Sequence, residues 1–492
     1  MTSKPRPPVC PLPVWKQAYL FDRRPLEFLD QCFQSMGDVF CLRLPGIGHW
    51  VFLCSPDAVR QLFKAPREAV PAGAVHRRFV GALFGKDATF NLDGVAHRRR
   101  QRLLLPLLSG KSARAATPQL LAAARRVMAN WPRHRPFALL PACHRLSLEM
   151  LALLIFGQAD VALRDRLVES FIDFTNLGAR SRLVMMPKLQ WDLGRFSPWG
   201  RVIHARRRVQ AMVRQAVHAA RRDPAAYEGT ILGSLVSTPM EDGRYLGDDS
   251  LVDELMNLLF AGHETTGTVI AWLFETIASR PEVRRRMEEE LDGVLGTEDP
   301  RGEELESLPY IDAVIQETFR FRPVGPFSAF RQVAEPLEIR VGDKAYELRP
   351  GDLVAHCVAV MSKREDLFAE AGEFRPERFL DESGLPRASS RELTPFGGGG
   401  RVCTGKGLAL VELKIALLEA LRTVDIELVD PEVGIERSGH MLAPAGGLMA
   451  TLSPRAYLQD TPNLATQEKA CVAPVMSVQG RAVCVNKAEA AA

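Results

Sequence analysis

Apolar and polar positions along the chain change their period several times, and each change marks an element. The run PLEFLDQCFQSM over residues 25–36 has helical spacing, with Gly37 placed to stop it. Residues 39–44 and 50–54 read as two strands joined by the turn PGIGH, and Ser55-Pro-Asp-Ala opens a short helix to about Lys64. Residues 65–92 mix Pro, Gly and apolar side chains without a sustained period and read as a loop. A helix follows from the charge run His97-Arg-Arg-Arg-Gln-Arg102 into LLLPLLS.

Residues 117–251 are dominated by helical patterns separated by Pro and Gly breaks, and residues 248–279 form a long helix that is apolar on most sides. Such a helix belongs in the centre of a protein. Two further helices are expected over residues 281–295 and 310–321, then extended chain through the prolines of FRPVGPF. Short strands follow near residues 331, 337–340, 345–348 and 353–357; an apolar helix succeeds Cys403, and residues 441–449 read as a terminal hairpin. The pattern fades beyond Arg455. The fold class is therefore mainly α with a small β region. Residues 1–455 form one large domain, and residues 456–492 a disordered extension.

Composition narrows the function little. With 492 residues, 46% hydrophobic, 25% charged and a net charge of +4, the chain is of ordinary globular make-up and suggests neither nucleic acid nor a membrane surface as partner. Nine cysteines in an odd, scattered set without CxxC spacing fit a reducing compartment, here the cytoplasm. The N-terminus lacks the apolar run of a signal or membrane anchor, and the apolar residues 150–157 are too few to span a bilayer.

Candidate chemistry lies in three places. Residues 396–405, FGGGGRVCTG, put Cys403 after four glycines and before an apolar helix whose N-terminal amides would favour a thiolate. The long helix carries Ala261-Gly-His-Glu-Thr-Thr266, where Gly262 costs about 1 kcal/mol unless the missing side chain serves a purpose. A hydroxyl at Thr265 or Thr266 can bond a carbonyl one turn back and open the ladder; close packing at Ala261 and Gly262 is the plainer alternative. Glu317 and Arg320 share one helical face, and a surface ion pair is the default for such a pair.

Taken together and in their order along the chain, from the long helix to the cysteine loop, these segments resemble those of the cytochrome P450 family of haem-thiolate monooxygenases. The resemblance rests on Phe396, Gly399, Arg401, Cys403 and Gly405 in the cysteine loop, on Ala-Gly-x-Glu-Thr-Thr, on Glu317 and Arg320, and on Arg378 in FRPERF. It implies one P450 fold with haem b between the long helix and the cysteine loop, and Cys403 as the axial iron ligand. Thr265 would donate to dioxygen and Glu264 would relay protons, while His263 would be structural. His97 and Arg331 would hold the haem propionates, with Arg102 as a helper because Gln101 stands where an arginine is usual; Phe396, Arg401, Gly405 and Ala261 would flank the haem. Glu317, Arg320 and Arg378 would form a buried structural triad. Phe79, Leu83, Phe260, Val324, Phe327 and Leu442 would line the pocket, and their apolar character suggests a terpenoid, fatty acid or steroid-like substrate. Electrons would come from a separate donor such as a ferredoxin with its reductase, since neither a nucleotide fingerprint nor an iron–sulfur cysteine cluster is evident. A haem-thiolate peroxygenase or isomerase, or a non-catalytic haem protein, would share the cysteine.

Overall fold

The structure is a computed structural model that describes residues 4–79, 81–180, 190–387, 392–438 and 441–455. The disordered extension expected over residues 456–492 lies outside the described residues.

The Asp248–Ser279 helix runs 32 residues and begins with Asp248 and Asp249, whose charge complements the positive end of the helix dipole. Its side chains are apolar on nearly every face, so it must be sheathed by protein. The helices Leu139–Phe156, Pro198–Arg222 and Lys406–Thr423 pack along it. Leu139–Phe156 contains residues 150–156 of the apolar stretch noted above and, at 18 residues and a mean hydropathy of 1.6, is long and apolar enough to cross a membrane. It is mostly buried against its neighbours, as a core helix is. Contact between these two helices is set by glycine. A Cβ on Gly262 would stand 2.7 Å from Leu151 Cδ2, and one on Gly267 would stand 2.7 Å from the His144 backbone. The helix stays continuous through residues 261–266 where the sequence suggested an opening. The Thr265 hydroxyl donates to the Ala261 carbonyl at 2.5 Å, and the Ser147 hydroxyl donates to the Gly262 carbonyl at 2.9 Å. These are added bonds, so no break is needed.

The β region is small, and its partners come from far along the chain. Val39–Leu44 and Gly48–Leu53 pair as the expected hairpin, but the sheet is completed by Leu353–His356, parallel to the second strand, and by Ser328–Gln332. Arg331 stands opposite Val354 in this outer pair. Two expectations are corrected. Residues 65–92 contain the short helices Gly73–Phe79 and Gly81–Phe84 and a 3-10 turn at Thr89–Asn91, all too short to show a period. Residues 441–449 are not one hairpin: Met441–Pro444 pairs with Ile435–Ser438, whereas Met449–Pro454 joins Val424–Leu428 and Phe137–Ala138. The 3-10 turn Ala445–Gly447 and left-handed Leu448 (φ 57°) send the chain from one sheet to the other.

Glu317 and Arg320, on the Pro309–Phe321 helix, are not at the surface: their side chains are 0% and 1% exposed. Arg320 grips Glu317 with two parallel bonds of 2.6 and 2.7 Å and donates to the carbonyls of Ser362, Ala371 and Glu373 at 2.7–2.9 Å. Arg378 adds a contact to Glu317 at 3.2 Å and bonds the Ala369 carbonyl, and the Arg375 amide donates to Glu317 at 2.7 Å. Every donor on this fork is used, which is what makes a buried charge tolerable. Arg320→Leu leaves the Glu317 carboxylate only Arg378 and the Arg375 amide, removes the guanidinium partner of the Ser362 and Ala371 carbonyls, and is expected to destabilise the fold by about 3–5 kcal/mol in denaturant unfolding. A loss under about 1 kcal/mol would show that the pair carries little of the local stability.

Candidate active site

The cysteine loop is closed by its own backbone. The Cys403 amide donates to the Phe396 carbonyl at 3.0 Å and the Val402 amide to the Gly399 carbonyl at 3.2 Å, with Gly397 and Gly399 at φ 68° and 64°. The Phe396 ring meets Phe319 edge-on at 5.1 Å. Side chains on Gly398, Gly399 or Gly400 would collide with the chain's own Phe63 and Arg67. Three of the four glycines therefore pack against Phe63, in the last turn of the Pro56–Lys64 helix, and Arg67 just beyond it. Gly405 meets no crowding; it contributes its amide, which with that of Lys406 points at the Cys403 sulfur. Cys403 opens onto accessible space, yet the protein packed around its sulfur raises the thiol pKa, and those two amides and the Lys406 ammonium pull it back. Among the described residues the other six cysteines are buried and free, and Cys403 alone is exposed.

On the central helix, between Leu251 and Ile277, only Ala261 and Thr265 are exposed. They are one turn apart, so they form a single accessible strip on an element otherwise covered by protein. Glu264 is buried beside them, and burial alone pushes its carboxyl up to about 7. His263 turns away from that strip into the protein, with its ring 5.3 Å from His144 and 5.8 Å from Phe171, and burial keeps it neutral.

A third group is electrostatic. Arg67, Arg331 and Arg401 line a small cavity with Asp93, Gly398 and Gly400, and His97 feels the charge of all three arginines. Asp93 is engaged by Arg401 at 2.5 Å and by the amides of Ala72, Gly73 and Ala74 at 2.8–3.1 Å. One carboxylate thus faces the three guanidiniums of the cavity and, at 3.7 Å, that of Arg77 as well. The imbalance is visible in the titrations: burial, then Arg401 and Arg67, push His97 down to about 3, and burial, then Arg401, push Arg331 down to about 10. His97 Nδ1 and Arg67 Nη1 are buried without a hydrogen-bond partner. A site with surplus positive charge and orphaned polar atoms fits an anionic group such as a haem propionate.

Sequence reasoning missed Arg67, a lone arginine in an aperiodic segment, and misplaced Arg102. Arg102 lies on the outer face of the Gly94–Leu107 helix, with its side chain 65% exposed and paired to Glu241. Arg100 is the inward arginine, and it bonds Glu254 of the central helix at 2.8 Å. Gln101 is buried. The apolar set divides as well. Leu83 and Leu442 are core residues, and the Leu442 amide bonds the Val324 carbonyl at 2.7 Å, which brings those two segments together. Phe260 remains half-buried against Phe84 at 4.1 Å. Phe327 belongs to a separate aromatic cluster with Phe21, Trp50, Phe52 and Phe330 at 5.0–5.8 Å. The Phe79 side chain lies outside the described residues.

The family profile described as Cytochrome P450 matches residues 5–449. This chain belongs to the cytochrome P450 family. As a P450 it is a haem b monooxygenase that takes dioxygen and electrons from a redox partner. It is 31% identical over 436 residues to cytochrome P450 138 of Mycobacterium tuberculosis, covering 87% of this chain and 92% of that protein. It is 30% identical to cytochrome P450 137 of the same species, covering 88% and 86%. The solved structure of a cyanobacterial CYP120A1 bound to retinoic acid shares the fold, with a TM-score of 0.78 at 23% identity over 92% of this chain and all of that one.

The Glu264 carboxyl sets a pH dependence. Between about pH 4.5 and 7 the folded P450 keeps a proton on Glu264 that the unfolded chain has lost, so this group's contribution to stability falls as pH rises through that window. Glu264→Gln removes the effect. Relative to that variant, the wild type is expected to lose up to about 3 kcal/mol between pH 5 and 8 in urea unfolding; parallel stability curves would show that Glu264 ionises freely.

Proposed function

We propose that Cys403, as the thiolate, is the axial ligand of this P450's haem, that the Ala261–Thr265 strip is the surface against which dioxygen is handled, and that His97, Arg67, Arg331 and Arg401 hold the propionates. The accessible strip on an otherwise sheathed helix carries the reading, because a fold gains nothing in stability by leaving it uncovered. When bound, haem supplies the activation of dioxygen. The chain's own part is proton control and exclusion of water. Thr265 Oγ donates to the Ala261 carbonyl at rest and can redirect that bond toward a ligand. Glu264, with its carboxyl at about 7, is half-protonated near neutrality and can both accept and return a proton.

The substrate is a hydrophobic small molecule of terpenoid, fatty acid or steroid-like character, and one oxygen atom is inserted by hydroxylation or epoxidation. Half-buried Phe260 and Val324 support this class. Electrons reach the protein from a separate donor such as a ferredoxin with its reductase, in the cytoplasm. Thr265→Ala is expected to keep substrate binding while diverting at least half of the electrons to hydrogen peroxide, measured as peroxide and product formed per NADPH in a ferredoxin-driven assay. Unchanged coupling would remove Thr265 from proton delivery.

A further inference from the structure

Away from the cysteine loop, the helices Val161–Arg180 and Pro198–Arg222 form the walls of an open surface groove of about 660 Å³. Among the described residues that line it, none belongs to the cysteine loop, the arginine cluster around Asp93 or the Ala261–Thr265 strip. The Val161–Arg180 helix sends Phe171 toward His263 of the central helix, and Ser170, Asp173 and Leu177 along its adjacent face into the groove. The facing helix contributes Arg201, His204 and Arg208, and Arg195 stands just before its start.

The charge of this groove is one-sided. Among the described residues, three arginines and a histidine face one carboxylate, Asp173, and Arg195, Arg201, His204 and Arg208 have no carboxylate within 4 Å. Neighbouring arginines outside the groove are paired, Arg207 with Asp192 at 3.0 Å and Arg214 with Asp249 at 2.7 Å. Leu177 and Ala205 add apolar wall. At the base lies Ser170, 3% exposed, whose hydroxyl has no hydrogen-bond partner. A buried hydroxyl left unmatched in a groove of unpaired cations calls for an acceptor from outside the chain.

We propose that this groove binds an amphipathic carboxylate: an acid group held by Arg201, Arg208 and the Ser170 hydroxyl, on an apolar body lying against Leu177 and Ala205. A guanidinium pair suits a carboxylate through paired N–H bonds, and the neutral alcohol of the same body offers it no charge to match. The site is independent of the haem-side reading, since it shares no residue with it.

The test is calorimetric titration of the holoenzyme with sodium decanoate, decan-1-ol and sodium acetate, in wild type and in an Arg201→Gln, Arg208→Gln double variant whose absorption spectrum and thermal midpoint match wild type. Decanoate is expected to bind wild type at least tenfold more tightly than decan-1-ol, with acetate giving no saturable heat. The double variant is expected to reduce that preference to under threefold, and Arg201→Lys, Arg208→Lys to restore part of it. A wild type that does not prefer decanoate, or a double variant that keeps the preference, overturns the assignment.

Discussion

A helix that is apolar on nearly every face has to be covered on nearly every side, and the Asp248–Ser279 helix imposes that demand on the rest of the chain. Leu139–Phe156 approaches it closely because Gly262 and Gly267 have no side chains to hold it off, and Pro198–Arg222 and Lys406–Thr423 take further faces. Against that near-complete cover, the exposure of Ala261 and Thr265 acquires meaning. The same helix places Glu264 where water is scarce, and scarcity of water is what moves its carboxyl into the neutral range.

Charge organises the other side of the site. Asp93 joins the first turn of the Gly73–Phe79 helix to Arg401 in the cysteine loop, so one carboxylate fixes two segments more than 300 residues apart. It cannot also neutralise Arg67 and Arg331, and the surplus leaves a cavity suited to anions. The Glu317 and Arg320 fork shows the opposite case, a buried charge with every bond satisfied, which is a structural device and not a binding one. The difference lies in orphaned atoms: the cluster of Arg67, Arg331, Arg401 and His97 has them, and the Arg320 guanidinium does not.

Long elements were legible in the sequence because their period is sustained. Residues 25–36 and 248–279 have the bounds their patterns predict. Residues 65–92 were not legible, since helices of seven and four residues complete too few turns to show a stripe, and Arg67 was lost with them. The parallel pairing of residues 50–53 with 353–356 and the split destinations of residues 441–444 and 449–454 are choices of partner, which alternation along one strand does not encode. In the charge run, helical periodicity cannot say which of Arg100 and Arg102 faces inward; that depends on Glu254 lying across from one and Glu241 from the other. The cysteine loop was legible as a site, while the packing of Gly398, Gly399 and Gly400 against Phe63 and Arg67, distant in sequence, was not.

The central claim is that Cys403, the one exposed cysteine among the described residues, ligates the haem iron through sulfur. Its most direct measurement is the absorption spectrum of the dithionite-reduced carbon monoxide complex, compared between wild type and Cys403→Ser. Thiolate ligation predicts a strongly red-shifted Soret band in the wild type and its loss in the variant with haem still bound. A red-shifted band that survives in Cys403→Ser would contradict the assignment.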